Sequence, residues 1–378
     1  MDELSPVVVA ARRTPFGRSG GALRDVPVEE LTAAVLRAVL ADTGADPAYV
    51  DEVILGNVMG PGGNPARVAA LAAGLGESVS GLTVDRQCGS GLEAITLAAT
   101  SVRAGRAGLV LAGGAESAST APLRATRPAP GAAPRFYDRA PFAPAGYDDP
   151  DMGAAADHVA GMAGITRDRQ DRYAAASHAR AIAAADAGRF AAELVPLPAL
   201  AGDERPRRGF TPERLARFPP AFTQGGTATA ANSCGVNDGA AVVAVVPEGL
   251  RRGRPGLRIV DWVCAGVPSG EPGLGPVPAV RRLLERTGVG VDDIGVVEFT
   301  EAFAGQVLVC LDALGIDESR VCPDGGAIAL GHPWGASAAA LVVRLFSQQV
   351  RAEGPRLGLA TCGIGGGMGI AVLLERVG

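Results

Sequence analysis

The chain has 378 residues, of which 47% are hydrophobic and 20% are charged, so it is long enough for two domains and can bury a large core. Its net charge of −5 gives no reason to expect nucleic-acid binding, and no apolar run is long enough to span a membrane. The start lacks a signal peptide's basic and apolar segments, and the six cysteines lack the spacings of a zinc site or disulfide framework. We therefore expect a cytoplasmic protein with reduced thiols and no metal. The absence of lysine excludes a lysine nucleophile.

Two parts of the chain repeat one order of predicted elements. "VEELTAAVLRAVLADTGADPAYVDEVILGNV" predicts a helix, an acidic turn and a strand, and "VPAVRRLLERTGVGVDDIGVVEFTEAF" follows the same pattern. The next unit also recurs: "LTVDRQCGSGLEAITLAATSVRAGRAGLVLAGGAES" predicts strand, turn, helix and strand, and "GGAIALGHPWGASAAALVVRLFSQQVRAEGPRLGLATCGIGGGMG" predicts turn, helix, strand and turn. Repeats of this length favour two similar α/β halves over a solenoid.

The segment between the two halves has a different composition, rich in Pro, Arg and Ala. "RPAPGAAPRFYDRAPFAPAGYDDPDM" contains too many breakers for regular structure, whereas "RDRQDRYAAASHARAIAAADAGRFAAEL" predicts a long helix. Long ordered insertions often act as lids or binding loops. We therefore divide the chain into an N-terminal half (1–119), an inserted loop domain (120–222), a return to the N-terminal half (223–249) and a C-terminal half (250–378).

Cys88 lies in "VDRQCGSGLEAI", between a predicted strand and a predicted helix. Gly89 and Gly91 allow a sharp turn, which would leave the thiol at the helix N-terminus. The partial positive charge there favours a thiolate, so we expect a lowered pKa for Cys88. The pattern is the thiol counterpart of a nucleophile elbow, and we interpret Cys88 as a nucleophile rather than a small core residue beside a turn.

His332 lies in "GGAIALGHPWGASAAAL", a glycine-rich turn that opens a predicted helix. The other histidines, His158 and His178, lie in polar helical sequence typical of a surface. A neutral imidazole could activate a thiol and hydrogen-bond a thioester oxygen. A histidine in a turn is more often structural, but His332 occupies the position in its half that Cys88 occupies in the other, which favours catalysis. Further on, "GIGGGMG" offers a run of backbone N–H groups suited to an oxyanion hole.

Taken together, these stretches resemble the thiolase family along nearly the whole chain. The similar motifs, in the family's order, are "RTPFGRSGGALRDVP", "GNPARVAAL", "DRQCGSGLEA", "AGGAES", "AIAAADAGRF", "GGAIALGHPWGAS" and "GIGGGMG". The resemblance implies an α/β thiolase fold, with duplicated βαβαβαββ halves in a five-layer α/β/α/β/α arrangement and an inserted loop domain. It also implies coenzyme A (CoA) thioesters as substrates, no bound cofactor, and a homodimer or homotetramer.

The same resemblance implies roles for individual residues. Cys88 would take the acyl group, His332 would activate Cys88, and the N–H groups of Cys88 and Gly365 would form the oxyanion hole. "DERPRRGF" resembles a stretch that contacts the CoA nucleotide. The resemblance implies that a 3′-phosphate binds Arg205, Arg207 and Arg208; the alternative is that these arginines belong to a solvated charged loop. The resemblance also implies that the pantetheine and acyl pocket is lined by Met152, Phe222, Ala230 and Phe303. The alternative is that these residues belong to the ordinary core.

Three departures from the family pattern concern the expected site. Thr300 in "FTEAFAG" stands where the family usually has an asparagine that holds a water in the oxyanion hole, and a hydroxyl could still bind water with shorter reach. Cys234 in "ANSCGVNDGAA" replaces a usual serine, which weakens one contact to CoA. Trp334 replaces a common leucine and adds bulk beside the site.

A fourth departure concerns the family's second catalytic cysteine, which takes the α-proton of the incoming acyl-CoA. When "LATCGIGGGMG" is aligned on the family's Cys-Ile-Gly-Gly-Gly, that position is Gly363, and Cys362 lies one residue early. Because successive side chains on a strand point to opposite faces, we expect Cys362 to face away from Cys88 unless a bulge intervenes. The usual base would then be missing, and His332, Glu301 or a substrate that is itself a better carbon acid could compensate.

Three functions are compatible with this pattern. The first is a thiolase-type enzyme that forms or cleaves a carbon–carbon bond between acyl thioesters, and the resemblance favours it. The second is an acyltransferase or thioester hydrolase that passes the acyl group from Cys88 to oxygen, nitrogen, a carrier-protein thiol or water, and Gly363 favours it. The third is a non-catalytic binding subunit, which the presence of Cys88 and His332 disfavours. The acyl donor would be acyl-CoA or an acyl carrier protein.

Overall fold

The structure, a computed structural model, describes residues 2–378 and arranges them as an α/β protein. The strands are β1 (Pro6–Arg13), β2 (Gly17–Arg18), β3 (Glu52–Gly56), β4 (Ser80–Val84), β5 (Val110–Ser117), β6 (Arg124–Thr126), β7 (Arg135–Tyr137), β8 (Asn237–Pro247), β9 (Gly256–Gly266), β10 (Val296–Phe299), β11 (Leu357–Ile364) and β12 (Met368–Val377). The α-helices are α1 (Val28–Thr43), α2 (Pro65–Ala72), α3 (Ser90–Arg103), α4 (Met152–Met162), α5 (Arg167–Asp186), α6 (Pro212–Leu215), α7 (Glu248–Arg251), α8 (Pro276–Thr287), α9 (Ala304–Leu314), α10 (Ala327–Leu330) and α11 (Trp334–Leu345).

The main sheet consists of two half-sheets joined along one short edge. Its strand order is β10-β11-β12-β9-β1-β8-β5-β3-β4, with β2 beside β8. The halves meet where Val7 pairs with Arg258 and Val8 with Leu257. Each half combines parallel pairs with antiparallel ones: β3 runs parallel to β4 and β5, and β10 runs parallel to β11. The late strand β8 pairs with β1 and β5 and so completes the N-terminal half.

Three apolar clusters define the layers. One cluster lies under α1 and α2 on the N-terminal half-sheet, a second lies under α8 and α9 on the C-terminal half-sheet, and a third surrounds α3 and α11 between the half-sheets. This arrangement confirms the predicted five-layer α/β/α/β/α fold. The sequences of the helices explain their layers: α11 is mostly apolar and is buried on all sides from Gly335 to Leu345, whereas α8 is amphipathic and buries one stripe. No helix within residues 2–378 is both long and apolar enough to cross a bilayer.

The segment between β5 and β8 supplies most of the irregular structure. β6 and β7 form a small separate hairpin, and the proline-rich stretch around them is otherwise without regular structure. The predicted long helix is present as α5, and it is capped by Thr166, whose side chain accepts a hydrogen bond from the Arg169 N–H.

A buried ionic network ties the inserted segment to both halves. The Arg13 guanidinium is fully buried and donates to Glu193 (2.8 Å) and Asp203 (2.7 Å). Arg344 on α11 pairs with the same Glu193 and with Asp324. Burying charges is costly unless they are paired, and removing one partner from such a pair typically destabilises a protein by about 3–5 kcal/mol. The network therefore fixes the position of α11, the helix that follows His332.

Glu298 lies at the edge of this network and is held in its protonated form. It is buried on β10, and its Oε1 accepts a hydrogen bond from Gln348 Nε2 at 2.7 Å. Burial is the main cause that raises the pKa of Glu298 from its ordinary 4.5 to about 8, although the nearby Arg344 charge opposes the rise. A protonated carboxyl at this position keeps the network close to charge balance at neutral pH.

Replacing Glu298 by glutamine should change how stability depends on pH. In the wild type the Glu298 carboxyl adds its full contribution to the free energy of unfolding below pH 4.5. This contribution falls between pH 4.5 and about 8, because in that range the unfolded chain has lost a proton that the folded protein keeps. Relative to Glu298→Gln, the wild-type free energy of unfolding should therefore fall by about 1.4 kcal/mol per pH unit in that window. Urea unfolding at pH 5, 6, 7 and 8 measures this difference.

Glu285→Gln, at an exposed position of α8, controls for loss of a surface carboxylate. A wild-type minus Glu298→Gln difference that stays constant from pH 5 to pH 8 would contradict the assignment.

Candidate active site

Cys88 lies in a tight turn between β4 and α3, as the sequence predicts. Gln87, immediately before it, has a φ of 47°, a left-handed conformation that is uncommon for a residue with a side chain. The Ser90 hydroxyl stabilises this turn, because it accepts from the Arg86 N–H (2.8 Å) and donates to the Gln87 carbonyl (2.6 Å). Gly91 has a packing role: a Cβ there would lie 2.6 Å from the Ala339 nitrogen of α11.

His332 contacts Cys88 directly. Its Nε2 is 3.3 Å from the Cys88 Sγ, and its Nδ1 is 2.6 Å from the Ser337 Oγ. The Ser337 hydroxyl donates its one proton to the Pro333 carbonyl at 2.8 Å, so toward His332 it acts as an acceptor. We therefore assign the ring proton to Nδ1, which leaves the Nε2 lone pair facing the thiol.

Asn237 holds the His332 backbone in place. Its Oδ1 accepts from the His332 N–H at 3.1 Å, and its Nδ2 donates to the Gly17 carbonyl at 2.7 Å. Gly331 has a φ of 114°, and a side chain there would overlap the Asn237 amide. Sequence reasoning missed both Ser337 and Asn237. The available signals were weak: a serine one turn after the His-Pro pair, and an asparagine inside a motif.

The Cys88 thiol has a raised pKa, so the expected lowering was wrong. Burial is the largest cause, and the neighbouring Cys362 and Cys234 add repulsion between like charges. The N–H groups of Cys88 and Gly365 lower the pKa and so lie close to the sulfur, but they do not outweigh burial. Burial likewise lowers the pKa of His332 to about 4. The resting pair is therefore a neutral thiol facing a neutral imidazole, and proton transfer accompanies attack by the sulfur.

Cys362 faces the same layer as Cys88, which contradicts the expectation that it points away. β11 and β12 pair without a bulge at this point, with Cys362 opposite Ile370 and Gly363 opposite Gly369. Cys362 is fully buried in the middle apolar cluster, against which Cys88 also packs. A Cβ on Gly363 would instead lie 3.4 Å from the amide nitrogen of Gln306 on α9, on the other face of the sheet.

The alternation rule used in the prediction holds, but the glycine run was the wrong anchor for counting. Ala360, Cys362 and Ile364 share one face, while Leu359 belongs to the cluster under α8 and α9. Compared with the family's Cys-Ile-Gly-Gly-Gly, this chain therefore has its one-residue offset between Cys362 and the glycine turn. Burial raises the pKa of Cys362 to about 12.

Thr300 directly follows β10 and lies beside Cys362 of the neighbouring strand β11. The Thr300 N–H donates to the Thr361 carbonyl at 3.1 Å, and the Thr300 hydroxyl interacts with the Cys362 thiol and lowers its pKa. The hydroxyl is buried without a well-aligned hydrogen-bond partner within residues 2–378. It borders a cavity of about 30 Å³ that Ser337 and Gly331 also line, which is room for about one water.

Glu301 is not free to act as a base. Its carboxylate accepts hydrogen bonds from the Tyr173 hydroxyl (2.9 Å), the Ser177 hydroxyl (2.7 Å) and the Ile328 N–H (3.3 Å). These contacts join α5 and α10 to the turn after β10 that carries Glu301. Its role in the structure is therefore to attach the inserted segment to the C-terminal half.

The three arginines proposed to bind phosphate have different surroundings. Arg205 is partly buried and donates to the backbone carbonyls of Ser233 (3.0 Å) and Ile328 (3.2 Å), so its guanidinium is already used within the protein. Arg208 pairs with Asp186 at 2.9 Å. Arg207 is exposed and, within residues 2–378, its side chain has no ion-pair partner. Of the three, Arg207 best fits a contact with a phosphate.

His178 is buried, which corrects its assignment to the surface. It is 3% exposed, its Nδ1 accepts from the Arg207 N–H at 3.3 Å, and its ring packs edge-on against Phe210. Burial lowers its pKa to about 4. It therefore supports the loop that presents Arg207. His158 is exposed, as expected.

The predicted pocket residues fall into two groups. Phe222 and Phe303 pack edge-to-face with ring centroids 5.5 Å apart, and Met152 packs against the same small cluster. Ala230 is exposed. Cys234 is partly buried, and burial raises its pKa to about 11.

Phe142, which the sequence did not single out, lies against Gly365. Within residues 2–378 no group of His, Cys, Asp or Glu is arranged to hold a metal ion.

Comparison with known proteins gives a consistent result. Residues 6–249 match the family model "Thiolase, N-terminal domain", and residues 254–376 match "Thiolase, C-terminal domain". An acetyl-CoA acetyltransferase of Pseudomonas aeruginosa is 42% identical over 98% of this chain and 99% of that protein. Crystal structures of the Bacillus anthracis acetyl-CoA acetyltransferase and of human mitochondrial 3-ketoacyl-CoA thiolase in complex with CoA each superpose with a TM-score of 0.92, at 34% identity over 99% of both chains.

Replacing Ser337 by alanine should slow alkylation of Cys88. Without the hydroxyl acceptor, the ring proton of His332 is no longer held on Nδ1, and Nε2 becomes a poorer base toward the thiol. We expect the alkylation rate at neutral pH to fall by roughly tenfold or more. The measurement is the rate of iodoacetamide modification of Cys88 from pH 6 to pH 10, with the modified residue identified by mass spectrometry.

Ser337→Thr keeps a hydroxyl and should retain most of the rate, and Ser319→Ala, at an exposed position, controls for loss of a serine elsewhere. An unchanged pH profile in Ser337→Ala would refute the assigned tautomer.

Proposed function

The chain belongs to the thiolase family, and from this premise we propose that it transfers acyl groups of CoA thioesters through a thioester on Cys88, with cleavage or formation of a carbon–carbon bond. The observation that carries this proposal is the position of one imidazole and two thiols at a single site. His332 is 3.3 Å from Cys88, and Cys362 faces the same layer. One thiol serves as nucleophile and the other as acid and base.

Cleavage of a 3-ketoacyl-CoA begins at Cys88. Its sulfur attacks the 3-keto carbon as its proton passes to His332 Nε2, and the N–H groups of Cys88 and Gly365 stabilise the oxyanion. The bond between carbons 2 and 3 then breaks, and its electron pair goes to carbon 2. The Cys362 thiol supplies the proton to that carbon. Acetyl-CoA leaves, and the acyl group remains on Cys88.

The second half-reaction restores the starting protonation states of Cys88, His332 and Cys362. A CoA thiol enters and gives its proton to the Cys362 thiolate, and the CoA sulfur attacks the acyl carbonyl. Cys88 departs and recovers its proton from the His332 imidazolium, which releases the shortened acyl-CoA. Condensation of two acyl-CoA molecules is the same path in reverse, with Cys362 as the base that removes the α-proton. Burial raises the pKa of Cys362 to about 12, so the resting thiol is protonated at neutral pH and carries the proton that carbon 2 receives.

The position of Cys362 favours carbon–carbon chemistry over transfer to oxygen, nitrogen, a carrier thiol or water. That alternative depended on Gly363 in place of the second base, and a side chain at Gly363 would face α9 rather than Cys88. We assign Thr300, whose buried hydroxyl lacks a well-aligned hydrogen-bond partner within residues 2–378, to hold a water that hydrogen-bonds the substrate carbonyl.

The CoA portion of the substrate would extend from the apolar cluster toward the inserted segment. We assign the pantetheine and acyl wall to Met152, Phe222 and Phe303, and the phosphate contact to Arg207, whose guanidinium is exposed. The human mitochondrial relative was solved in complex with CoA, which supports this substrate class. Assembly as a homodimer or homotetramer stays a prediction from the family resemblance.

Replacing Cys362 by alanine should separate acyl loading from carbon–carbon chemistry. Cys88 and His332 remain, so acetyl-CoA should still acylate Cys88 within a few-fold of the wild-type rate. Thiolysis of acetoacetyl-CoA should fall by ~10²–10⁴-fold, the usual contribution of a general acid or base. Intact-protein mass spectrometry measures loading, and loss of the acetoacetyl-CoA absorbance measures thiolysis.

Three variants complete the experiment. Cys88→Ala should lose both loading and thiolysis, and Cys310→Ala, which removes another buried thiol, should lose neither. Gly363→Cys in the Cys362→Ala background should not restore thiolysis, because its thiol would face α9. Wild-type thiolysis in Cys362→Ala would show that this thiol is only structural. Absence of acylated Cys88 in the wild type would refute the proposed function.

A further inference from the structure

The loop between β7 and α4 reaches the glycine turn beside Cys88. A Cβ added to Gly365 would lie 2.7 Å from Cε2 and 3.0 Å from Cδ2 of the Phe142 ring. A Cβ added to Gly366 would lie 3.2 Å from the Phe142 carbonyl oxygen. The ring is therefore in contact with the residue whose N–H approaches the Cys88 sulfur. Nothing in the acyl-transfer steps above uses Phe142.

Contacts within the loop hold this ring in place. Arg139 donates to the Asp149 carboxylate at 2.8 Å and to the Asp149 carbonyl at 3.2 Å, which closes the base of the loop. The Phe142 N–H donates to the same carboxylate at 3.3 Å, and the Arg139 guanidinium lies 4.7 Å from the centroid of the Phe142 ring. Tyr147, an aromatic residue in the same loop, is 70% exposed. Tyr147 is therefore a matched aromatic residue that is mostly solvent-exposed, unlike Phe142.

We propose that Phe142 determines the length of the acyl chain that Cys88 accepts, by closing the acyl pocket beside Gly365. This inference rests on the proposed function. A thioester oxygen held by the N–H groups of Cys88 and Gly365 would place the acyl group next to Gly365, the residue that the Phe142 ring contacts. A short acyl group fits in front of the ring, while a longer chain has to displace it. The closed loop makes displacement costly, since the Arg139–Asp149 contacts break with it.

The geometry also explains why the ring stands against a glycine. A side chain at Gly365 would overlap the Phe142 ring, so the ring can pack at this position only against a glycine. The loop leads directly into Met152 at the start of α4, which packs with Phe303. One continuous segment therefore supplies two walls of the pocket.

The test is the rate at which acyl-CoA esters of increasing length acylate Cys88 in the full-length protein. Acetyl-, butyryl-, hexanoyl- and octanoyl-CoA are mixed with the wild type, Phe142→Ala and Tyr147→Ala, and intact mass is followed over a single turnover. A pocket discriminates a single methylene by about 10- to 200-fold. We expect the octanoyl-to-acetyl rate ratio to rise by at least about tenfold in Phe142→Ala and to stay at the wild-type value in Tyr147→Ala.

Two further variants keep the result interpretable if Phe142→Ala folds poorly. Phe142→Leu should raise the same ratio by a smaller factor, and Arg139→Ala, which opens the base of the loop, should raise it as well. Acylated Cys88 with an unchanged ratio in Phe142→Ala and Phe142→Leu would overturn the role of Phe142 alone. Failure of every acyl-CoA to acylate wild-type Cys88 would overturn the proposed function, and this inference with it.

Discussion

The close crossing of α3 and α11 in the middle layer is the constraint on which the rest of the site depends. Each helix begins at a catalytic candidate, and the two residues can meet only if the helix starts touch. Gly91 makes this possible, because a Cβ there would lie 2.6 Å from the Ala339 nitrogen. Gly335 likewise lies against the Ala115 carbonyl at the end of β5, at 2.5 Å from an added Cβ. With larger residues the helices would separate, and the 3.3 Å contact between Cys88 and His332 would be lost.

Burial of this crossing also sets the chemistry of the site. A helix N-terminus favours a thiolate, yet the pKa of Cys88 is raised and that of His332 falls to about 4, because removing charge from water costs more than the helix dipole returns. The resting site is therefore neutral, and charge appears only while a substrate is present. Ser337 then matters as an acceptor that keeps the imidazole proton on the far nitrogen.

Local patterns in the sequence predicted much of this arrangement. The repeated order of elements predicted two halves, and the strand–turn–helix pattern predicted the turn at Cys88. Contacts between distant segments could not be predicted in this way. The burial of His178, the pairing of Arg208 with Asp186 and the contact of Phe142 with Gly365 all depend on how the inserted segment packs. Cys362 shows a different limit: the alternation rule was right, but only strand pairing shows which residue faces inward.

Exchange of the α-hydrogens of acetyl-CoA with D₂O, followed by NMR, tests the central claim most directly, because it reports the proton transfer assigned to Cys362 without requiring a condensed product. The account predicts deuterium incorporation at carbon 2 with the wild type, and a loss of ~10²–10⁴-fold in Cys362→Ala although that variant still acylates Cys88. Exchange at the wild-type rate in Cys362→Ala would contradict it and would assign the α-proton to another base.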